Sequence, residues 1–114
     1  MGAPIMKRLA AALAAIAIAG PALAADTEPT FTIVIKEHRF DPAVVEVPAG
    51  KKFRLLVKNQ DPTPEEFESK ELRREKVIKG NSEAVINLGP LKAGTYPFVG
   101  EFNEKTAQGR LVAR

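Results

Sequence analysis

The chain has no cysteine and no tryptophan, and only one tyrosine and one histidine in 114 residues. Each shortage removes some chemistry. Without a thiol there is no disulfide, no cysteine nucleophile, no thiolate-held metal and no iron–sulfur cluster. His38 is the sole imidazole, and neither Ser69 nor Ser82 stands in a nucleophile context, so a Ser–His–Asp relay has little to build on. Charge of one sign is also scarce. The 17 Lys and Arg nearly balance the 14 Asp and Glu, for a formal charge of +3. No basic cluster interleaved with aromatics marks a nucleic-acid surface. Paired carboxylates occur, but nothing marks a carbohydrate cleft. These exclusions leave little support for catalysis by the usual constellations.

What is present begins with an export signal. Lys7 and Arg8 form a basic region, Leu9 to Gly20 is apolar and alanine-rich, and Ala22-Leu23-Ala24 is a small-x-small cleavage site. This pattern predicts a secretory signal peptide over residues 1–24, too short and wrongly flanked for a stable membrane anchor. The remaining residues, 25–114, are expected to form one domain. Loss of Lys7 and Arg8 takes the formal charge from +3 to about +1, so the working protein is less basic than the full chain. An exported domain of this size often leans on disulfides. This one must rely on packing alone, or on packing plus a metal.

Short apolar runs separated by turn signals follow. Phe31–Ile35, Val44–Val47 and Lys52–Lys58 read as strands, and Glu65–Ser69 as an extended segment. Leu72–Ile78 mixes charge with apolar residues and is read as a strand in preference to a short helix. Ala84–Leu88, Thr95–Val99 and Arg110–Ala113 complete the set. Phe40-Asp41-Pro42, Asn59 to Pro64, Lys79-Gly80-Asn81-Ser82 and Gly89 to Gly94 are turns or loops by composition. No segment has a clean period of 3.6, and there is no internal repeat. The expected fold is all-β, an antiparallel β-sandwich of seven to eight strands.

The order of these signals is more specific than a generic sandwich. It runs Phe40-x-Pro42, Val45-x-Val47-x-Ala49-Gly50, Val57-x-Asn59, Pro64-Glu65-Glu66-Phe67, Gly94-x-Tyr96-x-Phe98 and Gly109-x-Leu111-Val112. Over about Phe31 to Ala113 this resembles the cupredoxin family, which implies a Greek-key sandwich. More narrowly, Glu66-Phe67-Glu68 and Tyr96-Pro97-Phe98 resemble the cupredoxin-like domains of bacterial periplasmic iron-uptake systems. That resemblance implies a periplasmic location, a bound iron or copper ion, and work beside a membrane iron permease and other periplasmic transport components.

A blue-copper member of the family holds its ion with two histidines, a cysteine and usually a methionine. The resemblance places Gly100 at the cysteine, Asn103 at the second histidine and Ala107 at the methionine. The first histidine falls in Glu65-Glu66: alignment on Phe67 selects Glu65, and the Glu-Phe-Glu pattern selects Glu66. All four ligands are therefore absent, and with them the thiolate–copper bond on which blue-copper chemistry depends.

Oxygen and nitrogen donors nonetheless fall near the same end: Glu65, Glu66, Glu68, Glu101, Asn103, Glu104 and His38. Carboxylates with one imidazole suit iron, manganese or oxidised copper. Neighbours on a strand face opposite ways, so Glu65 and Glu66 are not expected to serve one ion together, whereas Glu68 shares a face with Glu66. Each donor also has a plainer reading, as a solvated acid, a surface imidazole or a loop-bonding amide. The leading expectation is a periplasmic metal-binding accessory to iron, or copper, uptake or to ferrous iron oxidation. The alternative is a metal-free β-sandwich acting as a protein-interaction module.

Overall fold

A computed structural model describes residues 27–114; the expected signal peptide lies outside the described residues. Nine strands follow in order: β1 Thr30–Lys36, β2 Arg39–Asp41, β3 Val44–Val47, β4 Phe53–Asn59, β5 Glu65–Ser69, β6 Arg74–Ile78, β7 Ser82–Leu88, β8 Gly94–Gly100 and β9 Gln108–Ala113. A 3-10 turn, Glu101–Asn103, follows β8. One sheet has the order β2-β1-β4-β7 and the other β3-β9-β8-β5-β6. The sandwich is as the sequence predicts, with one strand more than expected. Both sheets are mixed: β1 runs parallel to β4, and β3 runs parallel to β9.

Strand alternation builds the core. Phe53, Leu55, Val57 and Asn59 of β4 face inward, with Ile33 and Ile35 of β1 and Ile86 and Leu88 of β7. The other sheet adds Val45, Val47, Phe67, Phe98, Leu111 and Ala113. At one end the rings of Phe40, Phe67 and Phe98 meet, with centroids 4.9 to 6.3 Å apart. Such contacts stabilise beyond the area they bury. This aromatic cluster lies beneath the end at which the sequence places its candidate donors.

The extra strand, β2, forms because β1 turns back on itself at Glu37-His38. Lys36 pairs with Arg39, and the two intervening residues carry φ of 53° and 57°. That is the geometry of a two-residue hairpin turn normally given to Asn-Gly. Asp61 compensates: its carboxylate accepts the amides of Glu37 at 2.8 Å and His38 at 2.9 Å. Asp61 is in turn held by buried Asn59, whose Oδ1 accepts the Asp61 amide at 3.0 Å. The Asn59 Nδ2 donates to the carbonyls of Thr63 and Ile78.

Candidate functional site

The donors separate into an interior group and an outer group, and the parity of β5 decides which residue goes where. Phe67 is buried, so Glu65 and Ser69 point inward with it and Glu66 and Glu68 point outward. Glu65 is 1% exposed. Its Oε1 accepts the Glu66 amide at 2.9 Å and the Phe102 amide at 2.9 Å, and its Oε2 accepts Asn103 Nδ2 at 2.7 Å. With Glu65 taken as the first, the four positions at which the resemblance places copper ligands are thus gathered at one point. A Cβ built on Gly100 would lie 2.7 Å from Glu65 Cδ and 2.7 Å from Ala107 Cβ. The last loop is closed by the Gly100 amide donating to the Ala107 carbonyl at 2.8 Å, and by the Ala107 amide donating to the Asn103 carbonyl at 2.8 Å.

These residues do not fit a blue-copper ion. The centre is filled by a carboxylate whose neighbours are N–H donors. Among the described residues, no buried side-chain nitrogen or oxygen lacks a partner. The only sulfur in the chain belongs to Met1 and Met6, outside the described residues.

The outer group is formed by three segments. Glu66 and Glu68 stand on β5, Glu75 on β6 lies directly across from Glu68, and Glu101 begins the turn after β8. Carboxylate oxygens of Glu66, Glu75 and Glu101 all lie within 4.8 Å of one another. The crowding is reflected in acidity. The Glu101 carboxyl is pushed above its ordinary value by the charge of Glu66, then by desolvation from its neighbours, a hydrogen bond with Glu66 and the charges of Glu75 and Glu104. Glu68 is raised by partial burial, then by Glu101 and Glu75. Crowded carboxylates repel one another, and a bound cation would relieve that repulsion.

The sequence-derived set is therefore divided. Glu66, Glu68 and Glu101 come together outside, and Glu65 and Asn103 bond to each other inside. His38 joins neither group. It lies on the surface beside a hollow lined by Glu37 and Phe102–Thr106, its Nδ1 3.5 Å from Asp61 Oδ2. Glu75 is the member that sequence reasoning missed. The signal was the β5–β6 hairpin register, which pairs Ser69 with Arg74 and so Glu68 with Glu75.

Geometry and fold together define a class, and the chain belongs to it: the model of the cupredoxin-like domain family matches residues 8–113. An uncharacterized protein of Rickettsia prowazekii (strain Madrid E) is 48% identical over 80 residues, covering 70% of this chain and 64% of that protein. This chain thus spans less than two thirds of that relative's length. Among solved structures, the metal-binding domain of the Cu(I)-exporting P-type ATPase of Streptococcus pneumoniae D39 aligns with a TM-score of 0.69 at 17% identity, covering 78% of this chain and 89% of that one. Auracyanin A, a blue copper protein of Chloroflexus aurantiacus, aligns with a TM-score of 0.65 at 19% identity, covering 75% and 99%. At identities this low the structural likeness shows the fold alone.

Proposed function

We propose that this chain is an exported, periplasmic metal-binding protein that takes a hard or borderline cation on the outer carboxylates Glu66, Glu75 and Glu101, with Glu68 beside them. The ion is cargo, ferrous or ferric iron or Cu(II), passed to or from a membrane iron permease. The observation that carries the reading is the convergence of three carboxylates from three segments within 4.8 Å. All-oxygen donor sets suit such ions, and softer Cu(I) prefers sulfur. Copper is supported by solved relatives of this fold that bind it. Iron, the permease and the periplasm are supported by the likeness of Glu66-Phe67-Glu68 and Tyr96-Pro97-Phe98 to iron-uptake domains and by the leader sequence.

Calorimetric titration of the purified protein with Fe(II), Fe(III) and Cu(II) tests the reading. Binding is expected to weaken at least tenfold in Glu66→Gln and Glu101→Gln. Affinity no tighter than about 1 mM for every ion, or about −4 kcal/mol, would sink it. Oxygen-dependent loss of Fe(II) only when copper is added would extend the role to ferrous oxidation.

The alternative, a metal-free interaction module, draws on Phe102, which is 51% exposed in the last loop. Under that reading Glu66→Ala and His38→Ala leave function intact, and changes on the exposed strand faces do not.

A further inference from the structure

The interior group has a role of its own. The ladder between β5 and β8 consists of two register pairs, Phe67 with Gly100 and Glu68 with Val99. Beyond Gly100 the chain leaves β8 for the 3-10 turn, while β5 extends back to Glu65. The backbones therefore part where the strands enter the last loop, and the Glu65 side chain fills the gap. Oxygen Oε1 accepts one amide from each side, Glu66 on β5 and Phe102 in the turn. Oxygen Oε2 takes Asn103 Nδ2, and the Asn103 carbonyl accepts the amides of Thr106 at 3.1 Å and Ala107 at 2.8 Å. One carboxylate thus links β5 to both halves of the loop.

We propose that Glu65 is a fixed internal clamp that stands in the place of a metal ion, joining β5 to the 100–107 loop and closing the centre to ions. A buried carboxylate is costly unless hydrogen-bonded. Three N–H donors offset that cost, and such bonds are the stronger kind. Clamp and ligand exclude each other in space, because a side chain at Gly100 would collide with the Glu65 carboxyl. The clamp is independent of what the outer carboxylates bind. If they do bind an ion, it also fixes their spacing, since the backbones of Glu66 and of the turn carrying Glu101 meet on one oxygen.

Amide hydrogen exchange in the purified protein tests the clamp without any metal. The Phe102 amide should be protected, and Glu65→Ala should speed its exchange by about 100-fold. The Val57 and Leu55 amides of β4 should keep their protection, which separates local opening from global unfolding. Fast Phe102 exchange in the wild type, or unchanged exchange in Glu65→Ala, overturns the clamp. A second measurement needs no variant. Zinc(II), a diamagnetic probe, added to the labelled wild type should not displace the Glu65–Asn103 contact. Loss of the Asn103 side-chain NH2 signal from its hydrogen-bonded position on saturation would mean that ions enter the centre, contrary to the proposal. If no ion binds anywhere and Phe102 behaves as expected, the metal-cargo reading fails and the clamp stands.

Discussion

Gly100 is conformationally ordinary, and its constraint is space. A Cβ there would approach within 2.7 Å of Glu65 Cδ and Ala107 Cβ, and overpacking of this kind costs about 1–3 kcal/mol. Gly100→Ala is expected to lower stability by that amount in urea unfolding. The loss should be smaller when Glu65→Ala is also present, because contacting residues couple. Additive effects would mean that the two do not share the centre. Asp61 carries a different constraint. It supports two residues at positive φ, so Asp61→Ala should cost about 1–3 kcal/mol. Burial works to raise its pKa, but the amides of His38 and Glu37 and the nearby charges of His38 and Lys36 outweigh this, and the carboxyl is held below its ordinary value. A depressed carboxylate stabilises fully above its unfolded pKa of about 3.9. The advantage of wild type over Asp61→Asn in urea midpoints should therefore be constant near neutral pH and shrink as pH falls below about 4.

At the scale of elements, the strands legible in the sequence were those with clean alternation. Phe53–Asn59 keeps every second residue inside, and the pattern needed no tertiary context to be read. β2 was not legible, because three residues carry no period and Glu-His is an unusual pair for a tight turn. The support comes from Asp61, far along the chain. Glu65 and Glu66 could be told apart only by the parity of Phe67, and the difference matters: one is a clamp and the other a surface acid. Glu75 was hidden because its importance lies in register with β5, a cross-strand relation. The β5–β6–β8 face also has a titration signature. Carboxyl-carbon NMR should place the midpoints of Glu68 and Glu101 above the ordinary value of about 4.3. Glu66→Gln should lower the Glu101 midpoint more than Glu75→Gln does, since Glu66 is its main perturbant. A raised carboxyl favours the fold at low pH and loses that contribution as pH climbs through the folded pKa. This is opposite in sign to Asp61, so the two ends of the acid range can be assigned separately.

For the whole molecule, the end at which the resemblance places the copper ligands is held together by the chain's own packing and hydrogen bonds. Below it lies the Phe40–Phe67–Phe98 cluster, within it the Glu65 carboxylate, and above it the loop closed by Gly100 and Ala107. The sheets on either side are joined by a shared buried core that runs from Ile33 to Ala113. A structural metal that completes a fold makes chelation equivalent to unfolding. An ion bound on the outer carboxylates touches only surface side chains, so it stabilises by mass action and by nothing more. The two arrangements differ in a measurable way. Treatment with EDTA should leave the thermal midpoint and the near-ultraviolet dichroism of the single tyrosine and the phenylalanines unchanged. Cu(II) or Fe(III) at 100 times its Kd should add about 2.7 kcal/mol, an increment that vanishes in Glu66→Gln/Glu101→Gln while the metal-free midpoint stays within a few degrees of wild type. A large fall on chelation would show that the ion holds the fold together, and would move the metal from the surface to the centre now occupied by Glu65.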